Sequence, residues 1–224
     1  QIFGSQPDIM AEAARFVAQM KDPQYVTVLN GRPLVYAFHC RAEKVFFDKL
    51  LRGAAEAGLK RPYLVNMGNC TAGVSFDAMS SYTGRGGQAE WERERKRGRK
   101  VIPAVSGGWD RRPRDQNPVP WDRNQKPRQV RGGRLRSAEK ARADIATGVK
   151  RALVWNRRHP AAGEAGAVII YAWNEFDEGG WICPTISEGT GRLDAIRKVL
   201  EEEERVLHSG GRGARRPGTL GKSN

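Results

Sequence analysis

A chain of 224 residues with 39% apolar content can bury a core as one or two domains, and no apolar run approaches the roughly 20 residues that span a bilayer. The net charge of +14 is uneven: residues 85–136 hold sixteen Lys/Arg against six Asp/Glu, and residues 205–224 hold five Lys/Arg and no acid. No helix-turn-helix, RNA-recognition or zinc-finger pattern accompanies that charge, so solvated loop arginines are favoured over a specific nucleic-acid partner.

Residues 8–20 read as a helix, with Asp8 as N-cap and Ile9, Ala13, Phe16, Val17 and Met20 on one face. Asn30-Gly31 is a tight turn before an apolar strand at 33–38, whose end carries His39, Cys40 and Arg41. A helix over 42–57 follows, with Val45, Phe46, Leu50 and Ala54 inward, and it stops at Gly58. Residues 62–67 and 76–82 are the next strands, and Tyr82 ends the second. The glycine-rich run 84–87 is neither GxGxxG nor GxxxxGK[ST], so it is weak evidence for a phosphate site. A charged helix at 88–97 leads to a strand at 101–105, then Ser106-Gly107-Gly108-Trp109-Asp110-Arg111-Arg112-Pro113-Arg114. Residues 115–134 read as a long surface loop. A helix at 137–156 turns Ala141, Ile145, Val149, Leu153 and Val154 inward. A final helix covers 193–207, and 208–224 reads as a basic disordered tail.

The stretch 168–181 concentrates the chemistry. Val168 to Tyr171 reads as a strand buried on both faces, and Trp173, Asn174, Glu175, Asp177 and Glu178 follow within a few positions, closed by Gly179-Gly180 and Trp181. Alternation of short apolar strands with helices predicts a parallel sheet. Polar and aromatic residues end each strand, as at the catalytic face of a (β/α)8 barrel. An open doubly wound sheet is the competitor, but no phosphate turn follows Phe38. Glycosidic cleavage needs a proton donor and a second carboxylate, and Glu175 and Glu178 can share one cleft if the glycines let the turn curl. Asp177 points the other way if the strand persists, and Glu178 is expected among Trp173, Phe176 and Trp181. Tyr82, Trp109, Trp173 and Trp181 either stack on sugar faces or pack between layers. Asn174, Asp110 and Arg111 are candidates for sugar hydroxyls, although Asp110 can equally pair with arginine to pin the loop. His39 is a substrate ligand or a hydrogen-bonded structural histidine. Cys40, Cys70 and Cys183, odd in number and without CxxC spacing, read as free thiols, and neither a metal nor a cofactor is expected. Gln1-Ile2-Phe3 has no signal-peptide character, and the compartment stays open.

The run AWNEFDEGGW followed by Cys183-Pro184-Thr185 resembles the last strand and loop of glycoside hydrolase family 99-like proteins, including the WbsX-like group. NGRPLVYAF and SGGWDRRPR are similar to the family's middle strands, so the resemblance covers about residues 20 to 205. It implies a partial (β/α)8 barrel over residues 1–207, with five parallel strands matching strands four to eight of a larger domain, and so an edge at Pro33 to Phe38 open to pairing with another chain. It also implies that Glu175 acts as base on a sugar 2-hydroxyl and Glu178 as general acid, then base. The implied outcome is retaining cleavage of an α-mannosidic bond in a polysaccharide or glycan. Non-catalytic carbohydrate binding, or a part in surface-polysaccharide biosynthesis, is the alternative.

Overall fold

Helices and parallel strands alternate along most of the chain. The computed structural model describes residues 6–38, 44–68, 70, 73–110, 112–120 and 137–210. His39, Cys40, Arg41, Asn69 and Arg111, most of the basic loop, and residues 211–224 lie outside the described residues. The elements are α1 (Gln6–Met20), β1 (Thr27–Val28), β2 (Arg32–Ala37), α2 (Lys44–Glu56), β3 (Tyr63–Asn66), β4 (Ala78–Met79), α3 (Gly87–Lys96), β5 (Ala104–Ser106), α4 (Arg112–Gln116), α5 (Ala138–Arg158), β6 (Ile169–Tyr171), β7 (Asn174–Glu175), β8 (Gly180–Trp181) and α6 (Gly191–Gly210). No helix among the described residues is long and apolar enough to cross a membrane.

The five expected strands are all present and parallel. β2 pairs with β3 and β3 with β4, while β5 pairs with β6. A parallel bridge from Met79 to Val101 links the two sets. The strand expected at 101–105 is interrupted because Pro103 has no N–H to donate, although its carbonyl still accepts from Ile169 N at 3.0 Å. β6 is half-buried at Ile169 and Ile170 and buried only at Tyr171, not enclosed on both faces as expected, because β5 is its one paired neighbour among the described strands.

The edge of β2 is partly closed. β1 folds back antiparallel, pairing Thr27 with Pro33 and Val28 with Arg32, and Leu34 N donates to Val26 O at 3.0 Å. The turn between them is the expected Asn30-Gly31, with positive φ at Leu29, Asn30 and Gly31. The expectation of an open edge is therefore corrected at Arg32 to Leu34: a two-residue strand blunts it.

Period-two alternation assigns the sheet's faces. Val35, Ala37 and Leu64 face α1 and α2, where Ala13, Val17, Met20, Phe46, Phe47 and Leu50 complete one core. Val101, Val105 and Ile170 face α3, α5 and α6 with Trp91, Ile145, Val149, Trp155 and Val199. Leu34, Tyr63, Val65, Ala78 and Ile102 point the other way and pack on one another, with Tyr36 and Ile169 alongside. Three details differ from expectation. α1 begins at Gln6, so Asp8 lies inside its first turn. In α2, Phe47 is buried while Val45 is 46% exposed, because Phe47 meets both Phe46 and Phe76 edge-on. In α5, Ala152 and Trp155 line the buried stripe, where Val154 was expected, because Trp155 supplies the largest apolar surface of that turn. Gly84 also has a packing role: a Cβ there would lie 2.6 Å from the Val105 backbone, so this run serves close approach of the chain to β5.

Cys70 is disulfide-bonded, which corrects the reading of three free thiols, and Cys183 is free. Spacing alone cannot show a bond between positions that only the fold brings together.

At the amino edge of the sheet, Asp77 accepts from Arg32 of β2, Arg61 and the backbone N–H of Leu64 in β3. Burial disfavours its charge, but these hydrogen bonds outweigh burial and hold its carboxyl below the ordinary 3.8. A depressed folded value stabilises the fold above the unfolded pKa, and the stability is lost as pH falls through the lowered value. Asp77→Asn is expected to cost about 2 kcal/mol at neutral pH. In urea denaturation the difference from the parent should shrink below about pH 4.

Candidate active site

The carboxyl ends of the strands gather one cluster. β6 ends at Tyr171, the chain makes the short β7 hairpin arm, and residues Phe176–Glu178 form a single 3-10 turn capped by Gly179. That turn is why Asp177 does not point away from its neighbours, as a continued strand would require. Asp177 and Glu178 instead reach the same partner, Arg114 of α4. Arg114 Nε donates to Asp177 Oδ2 at 2.8 Å, and Nη1 donates to Glu178 Oε1. Its Nη2 lies 2.8 Å from Asp177 Oδ2 and 3.9 Å from Glu175 Oε2. One guanidinium therefore faces three carboxylates.

Glu178 is buried at 8% exposure. The expected wall of Trp173, Phe176 and Trp181 does not account for this, since Trp173 is 56% and Phe176 49% exposed. Glu178 sits instead between Arg114 and Tyr171, whose hydroxyl donates to Oε2. Burial first, then the hydrogen bond to Glu178 and the charges of Glu178 and Glu175, push the Tyr171 phenol far above its usual range. Tyr171 is thus a fixed neutral donor. Burial alone would lower the Arg114 guanidinium, but its bond to Asp177 and the charges of Glu178, Asp177 and Glu175 outweigh it and raise the value, so the cation persists.

Tyr82, following β4, closes the other side. Burial first, then the charges of Glu175 and Glu178, push its phenol above the ordinary value. Its ring stacks on Phe38 at 4.3 Å and meets Tyr171 edge-on at 5.0 Å. Trp109, after β5, lies 6.0 Å from the Tyr171 ring, and the Arg85 guanidinium sits 4.7 Å over its own ring. Trp109 is thus partly engaged in packing. Asp110 forms a forked pair with Arg112, and its backbone N–H donates to Glu178 O at 2.7 Å, which ties the β5 loop to the acid turn. Trp173 and Asn174 are exposed. Trp181 packs between Phe176 and Arg192, 3.9 Å from the guanidinium, with its indole N–H buried and unpaired. Arg192, almost fully buried at the start of α6, donates to the carbonyls of Gly107 and Trp181 and pairs with Glu188. His39 and Arg111 lie outside the described residues.

The structure therefore brings together Glu175, Glu178 and Tyr82, with Trp109 and Asp110 at one rim. Tyr171 and Arg114 were not singled out by sequence reasoning. A signal existed for Arg114, an arginine four residues past Asp110 on a loop leaving a strand end. Tyr171 reads from sequence as one more apolar strand residue. Among the described residues, no group of His, Cys, Asp and Glu is arranged to hold a metal ion. Carboxylates beside a fixed cation and two phenols can exchange protons with a neutral polar substrate and hydrogen-bond its hydroxyls.

Fold and cluster together define an α/β protein of parallel strands and helices with an acid site at the carboxyl edge of its sheet. No family model and no curated protein sequence matches the chain. Among solved structures, it is similar to a protein described as glycoside hydrolase-like, with a TM-score of 0.54 and 14% identity over 88% of this chain. The chain spans 62% of that protein's length. A match to the GH99 endo-alpha-mannosidase from Bacteriodes thetaiotaomicron covers 92% of this chain and 68% of that one, with a TM-score of 0.49 and 14% identity. At this identity the first likeness establishes the fold. The α/β arrangement expected from the AWNEFDEGGW resemblance is met in a glycoside hydrolase-like structure.

Proposed function

We propose that this chain is a glycoside hydrolase-like protein that cleaves glycosidic bonds in a polysaccharide or glycan at the carboxyl edge of its sheet. The observation that carries this reading is the convergence of Glu175 and Glu178 on Arg114, at the end of the last parallel strand and beside Tyr82 and Tyr171. In the finer form of the proposal, residues 1–207 correspond to strands four to eight of a (β/α)8 barrel, and 208–224 are a basic tail. Sequential parallel order and the self-packed face of Leu34, Tyr63, Val65, Ala78 and Ile102 support it. Glu175 is the base that withdraws the proton of a sugar 2-hydroxyl, and that oxygen attacks the anomeric carbon as the glycosidic bond breaks. Glu178 gives its proton to the leaving oxygen, then takes one from the water that attacks the anomeric carbon and opens the sugar epoxide, while Glu175 returns its proton to the freed 2-oxygen, so both carboxyls are regenerated and configuration is retained. An α-mannosidic bond is the proposed target. Trp173 and Asn174, exposed just before the acid turn, are proposed to meet the sugar, as are Trp181, Asp110, Arg111 and His39.

A second reading, carbohydrate binding without cleavage, is favoured by one feature. Both oxygens of Glu178 already accept hydrogen bonds, from Arg114 and Tyr171, so proton donation requires at least one of these to yield. Hydrolysis of α-mannan-type oligosaccharides by the chain and by its Glu175→Gln and Glu178→Gln variants separates the two. Each substitution is expected to lower the rate by about 100-fold or more while leaving sugar binding within a few fold. Sugar binding without hydrolysis by the parent would select the second reading.

A further inference from the structure

We propose that Arg114 is a positioning residue that gathers Glu175, Asp177 and Glu178 into one cluster and, by the same bonds, latches α4 over the carboxyl edge of the sheet. The catalytic part of this inference rests on the proposed function, whereas the latch stands on geometry alone. α4 is five residues long and has no buried residue, so neither helix propagation nor an apolar face holds it in place. Among the described residues its ties to the sheet edge are polar. Arg114 itself is only 17% exposed at the side chain and spans 63 positions to reach Asp177 and 64 to reach Glu178. The backbone bond from Asp110 to Glu178 adds a second tie just before the helix.

The chemistry requires this residue type. Three carboxylates within one turn and a strand end repel one another, and they stay together only around a cation with several donors in fixed directions. Guanidinium offers a planar fork: Nε and Nη2 serve Asp177, Nη1 serves Glu178, and Nη2 faces Glu175. Lysine would supply the charge from one point and could not serve all three. Asp177 thereby gains a role distinct from its neighbours. It anchors the fork so that Glu178 meets Arg114 on one oxygen and Tyr171 on the other.

Hydrogen–deuterium exchange on the full chain tests the latch without requiring activity. Amides of 112–117 should exchange about tenfold faster in Arg114→Ala and in Asp177→Asn, with Arg114→Lys in between. Both variants should raise exchange by a similar factor, because each removes one end of the same tie, which a purely packing role of Arg114 would not produce. Unchanged exchange in Arg114→Ala, or faster exchange there with parent-like exchange in Asp177→Asn, would overturn the proposal. In hydrolysis, Arg114→Ala should lower kcat on the order of 10- to 100-fold with KM little changed, and lysine should not restore it. Parent-like kcat in that variant would refute positioning. A parent that cleaves nothing would instead refute the hydrolase reading and leave the latch to be judged by exchange.

Discussion

Gly108→Ala is expected to destabilise the protein by about 3 to 5 kcal/mol and to pull the candidate site apart. Gly108 has φ of 139°, a conformation that side chains rarely adopt. A Cβ there would lie 2.3 Å from the carbonyl oxygen of Gly179, which is backbone and cannot rotate away. The converse contact holds too, since a Cβ on Gly179 would lie 2.4 Å from Asp110 N. The loop after β5 and the loop after the acid turn therefore touch backbone to backbone, and Asp110 and Gly107 bond across to Glu178 and Tyr171. Separating them moves Glu178 relative to Tyr171 and Arg114. Gly31→Ala is the matched comparison. Its φ is also positive, at 95°, but nothing lies within 4 Å of the added carbon, so it should cost only about 1 kcal/mol. Urea denaturation of the two variants separates steric contact from backbone strain. Equal losses would show that the two loops do not pack this closely.

Trp155→Ala should cost about 3 to 5 kcal/mol, which is enough to unfold a marginal domain. Trp155 is 2% exposed and sits at the centre of the core shared by α3, α5, α6 and the β5–β6 pair. It meets Trp91 edge-on at 6.0 Å and stacks obliquely on His159 at 5.0 Å. Its indole N–H also donates to Glu92 Oε1 at 2.6 Å. That bond is the first of the causes holding the Glu92 carboxyl below its ordinary 4.5, followed by burial acting the other way and then by Arg95 and His159. The resulting stability is present above the unfolded value and fades as pH falls through the lowered one. Trp155→Phe keeps much of the apolar volume but loses the donor. It should therefore cost less than alanine and flatten the acid side of the stability profile. Thermal melting between pH 3 and pH 7, roughly the range in which carboxylates titrate, checks both variants. A phenylalanine variant as unstable as alanine would mean that the hydrogen bond, rather than the packed volume, carries the effect.

Much of the fold was legible locally. The five parallel strands and five long helices fall where apolar period and turn residues place them, because each element buries one face and its neighbours in sequence are its neighbours in space. On the buried faces of α2 and α5 the errors are ones of phase, as with Phe47 for Val45, where the choice within the run Val45-Phe46-Phe47 depends on what Phe76 brings from 29 positions away. The site was only half legible. Glu175 and Glu178 stand out because acids and indoles crowd the end of an apolar run. Tyr171 and Arg114 do not. One looks like a core strand residue, and the other is one arginine among many in a basic stretch.

The sequence by itself determined which segments become the five parallel strands and the five long helices, and that carboxylates and aromatics gather at the strand ends, because periodicity and residue chemistry are local properties. Only the tertiary structure decided how Glu178 is held. That depends on a 3-10 turn that swings Asp177 and Glu178 to the same side, and on an arginine of the short helix α4 more than 60 positions earlier. It also decided that Cys70 is bonded while Cys183 is free, and that a two-residue strand covers part of the β2 edge. Each of these is a contact between distant segments. Its energy depends on geometry that the whole fold sets, and no window of sequence contains it.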